Sequence, residues 1–361
     1  MLYRQEHNPL RQKLIPEDHG NDVPAGAPAF KKLEDLQGAL QDAIALEHFT
    51  IPPYLCALYS IHERANPEAA RIIRTVVVEE MLHMILAANI LNAIGGKPAI
   101  RNSLPEYPKK MPFSQIGFTV NLLKFEKEAI NTFLRIERPA PRMDAPPAGK
   151  FWSIGEFYEA VREALRRLDR ETAGGIFTGT QKQVTNEHYY GSGGKLRSVC
   201  SLEDAELAIN EIVGQGEGID GTIEAGDDDL FNDDVEFAHY FRFNEIFHER
   251  RYRAGDQPGD APSGDPLRVD WNAVYNMVPN PKMSMFQGRG LIEKAEQFNR
   301  IYAKLLSNIE EACNGKPEVL KEQGIPLMHA MRITAVDLMN EPIGNGGYTA
   351  GPTFEFSDCG A

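Results

Sequence analysis

The chain has 361 residues, 42% hydrophobic and 25% charged, with a net charge of −14. This is an ordinary balance for a globular protein with a sizeable core, and the negative charge argues against nucleic acid or an anionic membrane surface as a partner. Four scattered cysteines without a Cys-x-x-Cys pair fit free thiols in a reducing, cytoplasmic setting rather than a disulfide framework.

Residues 1–30 are polar, punctuated by Pro and Gly, and carry no apolar secretory segment. They are expected to form an N-terminal arm, followed by a single domain over 31–355. From Lys31 to Ala65, Leu33, Leu36, Leu40, Ile44, Ile51 and Leu58 recur at helical spacing. Pro52-Pro53 inside this run is expected to kink or break it, because proline removes a donor and clashes with the preceding turn. Asn66-Pro67 marks a turn and a fresh helix start. A second helix then covers 67–94 and stops at Gly95-Gly96, so the first two helices form an antiparallel hairpin. The apolar run from Ile72 to Ile94 carries Arg74, Glu79, Glu80 and His83 and does not read as membrane-spanning.

Residues 97–199 read as insertions. They comprise a helical stretch over about 120–137, a Pro-rich linker over 139–149, and a helix opened by Ser153 and Glu156 in the manner of a capping box and running to about Glu171. Glycines with alternating Val, Tyr and Thr over 174–199 predict a short β-hairpin insert. Helices follow over 202–217 and about 233–252, then a Gly/Pro/Asp loop over 255–266 and C-terminal helices within 290–338. The fold class is mostly α, a four-helix core (about 31–65, 67–94, 202–217 and 233–252) with extra helices.

Helix phase selects a set of metal ligands. Glu80 falls at the centre of a stripe formed by Ile73, Val76, Val77, Met84, Ala87 and Leu91, with His83 on its flank. A carboxylate there is costly unless it is paired or holds a metal. Glu79, at the stripe's edge, is the weaker candidate. Glu47 is in line with Leu36, Leu40, Ile51, Tyr54 and Leu58, at a matching depth on the hairpin. The C-terminal half offers two Glu-x-x-His pairs. Glu236 and His239 share a face with Tyr240, Phe243 and Phe247, whereas Glu245, with His248, falls opposite and reads as solvated. On the fourth helix Glu211 points away from Ile209 and Ile212, so Glu217 is preferred, although Gly214, Gly216 and Gly218 can distort the phase.

Glu47, Glu80, His83, Glu217, Glu236 and His239 thus reproduce a known pattern. A Glu-x-x-His pair on each of two helices, plus one Glu from each of two others, is the ligand set of carboxylate-bridged two-metal bundles. Mixed carboxylate and imidazole ligation favours iron or manganese over structural zinc. Two iron ions are the expected cofactor, with manganese possible. Tyr54, Tyr240, Arg242 and Phe243 are candidates for a substrate pocket, against the commoner roles of a packing tyrosine for Tyr54 and a structural ion pair for Arg242. His48 and His62 lie off the central stripe and read as surface or capping residues. The glycine-rich segment 346–354 is a candidate cover for a cavity.

The motifs resemble a known family. The segments Leu46-Glu-His-Phe-Thr-Ile-Pro-Pro-Tyr-Leu55, Glu79-Glu-Met-Leu-His83, Ala93-Ile-Gly-Gly-Lys-Pro98, Ile136-Glu-Arg-Pro139, Gln215-Gly-Glu-Gly218, His239-Tyr-Phe-Arg-Phe243 and Ala350-Gly-Pro-Thr-Phe354 resemble the ferritin-like module of the iminophenyl-pyruvate dimer synthase type. That module also occurs within the imine-coupling enzymes of violacein, rebeccamycin and staurosporine biosynthesis. The likeness runs from about Leu33 to Phe354. It implies a ferritin-like bundle, metal at the same six residues, and a di-metal oxidoreductase of secondary metabolism. The implied partners are dioxygen and a small aromatic or amino-acid-derived, imine-type substrate, and a homo-oligomer is compatible with the resemblance. The rival readings are a metal-binding or storage protein without an organic substrate, and a metal-free scaffold.

Overall fold

The two longest apolar runs form the centre of the molecule. In the computed structural model, which describes residues 30–101, 105–112, 114, 117–139, 151, 153–189, 193–218, 222–228, 235–253, 255–344 and 346–356, α1 spans Leu33–Ser60 and α2 spans Pro67–Ala93. All but the last residue of the expected arm over 1–30, and most of the Pro-rich linker (140–149), lie outside the described residues. By length and composition α2 could cross a membrane, but its apolar window is 89% buried inside the protein. It is built as a core helix.

Pro52-Pro53 does not break the helix, and α1 continues through both prolines. Two missing N–H groups free the carbonyls of His48 and Phe49. The Tyr107 hydroxyl donates to the Phe49 carbonyl at 2.5 Å, and Thr50 Oγ1 closes the same turn on the Glu47 carbonyl at 2.8 Å. Burial against neighbouring elements holds the rest.

The remaining helices are α3 (Lys127–Ile136), α4 (Ile154–Glu171), α5 (Leu202–Glu217), α6 (His239–His248), α7 (Arg289–Cys313) and α8 (Ile325–Met339). Three small antiparallel hairpins accompany them among the described residues. They pair β1 (Lys109–Lys110) with β2 (Thr119–Val120), β3 (Glu224–Asp228) with β4 (Val235–Phe237), and β5 (Pro342–Ile343) with β6 (Tyr348–Thr349). The α4 start is as expected, with Ser153 Oγ accepting from the Glu156 N–H at 3.1 Å. Two expectations need correction. Helix α6 begins at His239 rather than near 233, because β4 pairs with β3 and the Ala238 N–H is taken by the Ile223 carbonyl at 3.0 Å. Glu236 therefore sits on a strand, and its side chain lies outside the described residues. No strand forms among the described residues of 174–199. There the side-chain amides of Gln183 and Asn186 bond the backbone of Val199 and Leu196, doing the work of a β-ladder.

The arrangement of the short helices decides where the site forms. Both α3 and α4 lie against α1, both α5 and α6 lie against α2, α3 pairs with α6, and α4 pairs with α5. The third and fourth positions of the bundle are thus each made of two short helices meeting end to end. Helices α7 and α8 pack on each other and flank α1 and α2. Glu47 and Glu80 fall midway along their helices, at the level where the split helices meet.

Candidate metal centre

At that level five buried groups converge: Glu47, Glu80 and His83 from the hairpin, Glu137 from the C-terminal end of α3, and His239 from the first residue of α6. The ligand atoms of Glu47, Glu80 and His83 all lie within 4.8 Å of one another, and so do those of Glu80, Glu137 and His239. Each group holds two carboxylates and one imidazole, and Glu80 is common to both. Each group could hold one ion, with Glu80 lying between the two positions.

The surrounding residues fix each donor. Thr50 Oγ1 donates to Glu80 Oε2 at 2.6 Å, the Tyr158 hydroxyl to Glu47 Oε1 at 2.6 Å, and the Tyr54 hydroxyl to Glu137 Oε1. Gln215 places its amide N–H on the Gly193 carbonyl at 2.8 Å, so its Oε1 must face His83 and accept from Nε2 at 2.7 Å. His83 Nδ1 is then a lone pair pointing at Glu47 and Glu80, 3.8 Å from each. Glu79, buried and paired with Arg242 at 2.5 Å, accepts from His239 Nε2 at 2.9 Å. His239 Nδ1 is thereby turned inward, 2.9 Å from Glu80 and 3.4 Å from Glu137, yet it is in hydrogen-bonding geometry with neither. A second-sphere acceptor that fixes the tautomer is what metal-binding histidines usually have, and both imidazoles have one.

The electrostatics point the same way. Burial and the Glu80 charge raise Glu47 well above the carboxylate range, and burial with the Glu137 charge raises Glu80. Burial and the neighbouring His239 push His83 down to about 3. Burial alone would lower His239, but the surrounding carboxylates of Glu137, Glu79 and Glu80 raise it well above the usual imidazole range. Burial would also raise Glu79, but the Arg242 charge and the His239 bond hold it low. Three carboxylates out of water demand positive charge, supplied either by protons or by cations. Glu137 adds to the demand, since a carboxylate at a helix C-terminus faces the negative end of the dipole. The oxygen-rich, two-imidazole donor set and the unsatisfied Nδ1 of His239 fit iron or manganese.

Of the six expected ligands, Glu47, Glu80, His83 and His239 come together. Glu217 does not join either group. It lines the same small opening, but its Oε1 accepts the Gly155 N–H at 2.6 Å, where a Cβ on residue 155 would fall 2.8 Å from the carboxylate. It is engaged by the N-terminal end of α4, where a carboxylate is favoured. Glu211 accepts from the Lys195 N–H at 2.8 Å. Glu245, expected on the surface, is buried and held by Arg251 at 2.7 Å and the Tyr252 N–H at 2.8 Å. Tyr54 is buried at Glu137, and Phe243 packs behind it with ring centroids 5.2 Å apart. Arg242 is the ion-pair partner of Glu79, and Tyr240 packs between the main core and a small cluster that includes Phe241 and Tyr252. None of Tyr54, Tyr240, Arg242 and Phe243 lines the opening beside the carboxylates. His48 is buried, not superficial, and bonds Tyr302.

A family model described as Ferritin-like matches residues 40–248, from α1 through α6 and all five converging groups. The chain belongs to the ferritin-like family. This bears out the resemblance carried by the motifs. The ferritin-like chain is 24% identical to dichlorochromopyrrolate synthase of Lentzea aerocolonigenes over an alignment covering 96% of this chain and 38% of the synthase. It thus spans well under half of that relative's length. Among solved structures, a ferritin-like protein from Caulobacter vibrioides superposes with a TM-score of 0.62 at 24% identity, covering 91% of this chain and 100% of that one. The two share the fold.

Proposed function

We propose that this chain is a non-haem two-metal oxidoreductase of secondary metabolism. It would hold two iron ions, with manganese as the alternative, and act with dioxygen on a small aromatic or amino-acid-derived, imine-type substrate. The observation that carries the reading is the pair of ligand groups sharing Glu80. Similarity to a synthase of a chromopyrrolate supports the substrate class. When bound, two such ions supply the electrons that reduce dioxygen and the positive charge that stabilises the developing anion.

The residues of the chain do the rest. Glu47, Glu80 and Glu137 neutralise the ions. Thr50, Tyr158 and Tyr54 hold the carboxylate oxygens in place, and Gln215 and Glu79 keep both inward Nδ1 atoms unprotonated once the ions are in place. The opening beside them is about 20 Å³ and bounded by Ile136, Ile154, Ile212 and Val213 among others. That is room for a molecule the size of water or dioxygen. The test is dioxygen uptake by protein reconstituted with ferrous ion. Uptake near stoichiometry with the protein alone, accelerated into turnover by an aromatic imino acid, is expected. Progressive oxidation of many ferrous ions per chain, indifferent to any organic compound, would establish a store instead.

A further inference from the structure

A second cavity, of about 390 Å³, lies across the α1–α2 hairpin from the carboxylates, with α7 and α8 forming its outer wall. It shares no lining residue with the opening at the metal ligands. The family match ends at residue 248, so the α7–α8 wall is an addition to the matched bundle. Leu55, Val77, Met81, Leu305, Ile309 and Phe354 supply an apolar interior. Its volume is in the range of small-molecule sites, which start at about 300 Å³.

Two features distinguish it from a packing defect. First, Arg64, Arg74 and Arg332 are exposed in its lining, and none has a carboxylate partner among the described residues. Glu63 is the one acidic residue in that lining, on a chain whose net charge is −14. Arg64 occupies the left-handed region, with φ 66°, in a turn tied down by reciprocal bonds between Asn66 and the backbone of Asp270 at 2.9 and 2.7 Å. Such a conformation is uncommon for a residue other than glycine and is kept where the surroundings impose it. Second, His48 on the buried wall is 3% exposed and bonds the Tyr302 hydroxyl through Nε2 at 2.8 Å, while its Nδ1 has no partner. A buried polar atom left unpaired is costly, and a polar atom of a ligand would satisfy it.

We propose that this cavity binds a small organic acid, its apolar body enclosed by α1, α2, α7 and α8 and its single carboxylate held by Arg64, Arg74 and Arg332. Guanidinium groups pair with carboxylates in bidentate geometry, and uncompensated arginines at the edge of an apolar cavity are the complement of an amphipathic anion. The shared chemistry covers aliphatic and aromatic acids.

The test is calorimetric titration of the whole, chelator-treated protein with dodecanoate and with indole-3-propionate, using dodecanol and dodecylamine as uncharged and cationic controls. Removing metal separates this outcome from that of the two-metal reading. One-to-one binding of either acid is expected, and which acid binds identifies the source. Arg332→Glu and Arg64→Glu, both surface changes whose folding circular dichroism checks, should each weaken binding by about tenfold or more, the effect of losing a hydrogen bond to a charged group. Met81→Trp, filling the interior, should abolish it. The proposal is overturned if neither acid binds, if dodecanol binds as tightly as dodecanoate, or if the folded Arg332→Glu protein binds unchanged.

Discussion

Glu137 shows how far helix phase reaches. It follows Ile130 and Phe133 at the spacing of one helical face, the same argument that singles out Glu80, and it is buried beside His239. It caps α3 and has no histidine three residues on, so the Glu-x-x-His pattern does not mark it. Glu137→Gln should remove one ion per chain from reconstituted protein, by elemental analysis, while Glu217→Gln leaves both. The opposite result would return the fourth helix to the ligand set. The acceptors behind the imidazoles are invisible to phase, since Gln215 is set by Gly193 and Glu79 by Arg242 across the fold. Glu79→Gln should lower metal affinity about 10- to 100-fold, as loss of an outer-shell partner does, with ligand count unchanged. A further residue-scale effect lies at His48, whose burial lowers its pKa from 6.5 to about 4. The unfolded chain binds that proton first, so stability is present above pH 6.5 and is lost as pH falls towards 4, at up to about 1.4 kcal/mol per pH unit. His48→Asn should flatten the urea-measured stability profile in that window. An unchanged profile would show that the ring is not held neutral by burial.

At the scale of elements, periodic helices were legible and interruptions were not. The spacing of Leu and Ile places α1, α2, α4, α5, α7 and α8 within a few residues of where they form. It cannot show that Pro52-Pro53 is tolerated, because the compensating donor is Tyr107, 58 residues away at the Phe49 carbonyl. Tyr107→Phe leaves that buried acceptor unpaired and should cost about 1–3 kcal/mol in chemical unfolding. A loss below experimental error would mean that packing alone carries the prolines. The N-terminal end of α6 failed for a related reason. Val235–Phe237 has a helical continuation in sequence, but pairing with β3 claims its backbone. With α6 shortened, Glu236 and His239 no longer share one helical face, and among the described residues the second ligand group is completed from α3. The split of the third and fourth bundle positions is what brings helix ends, rather than helix middles, to the site.

At the scale of the whole molecule, the centre concentrates unfavourable charge that the fold alone does not relieve. Glu47, Glu80 and Glu137 are all at most 4% exposed, and the basic partner nearest them, His239, is itself shared with Glu79. Chelator-treated protein must accommodate this with protons, raising Glu47 and Glu80 out of their usual range. Ions that bind the folded site and not the unfolded chain stabilise it by mass action, about 2.7 kcal/mol at a hundredfold excess over Kd. Ferrous or manganous ion should therefore raise the melting temperature of the stripped protein by several degrees and saturate near two equivalents per chain. The gain should grow from pH 6 to pH 8, because binding displaces protons from Glu47, Glu80 and His239. A scaffold without metal would show no such shift, and a store would keep taking up iron past that stoichiometry. Glu80→Ala makes the test decisive, since Glu80 belongs to both ligand groups. Its loss should eliminate the metal-dependent shift altogether while relieving crowding among the remaining carboxylates, so the variant's stripped form should melt no lower than the stripped wild type. A metal-dependent shift that survived Glu80→Ala would rule out the shared-carboxylate centre.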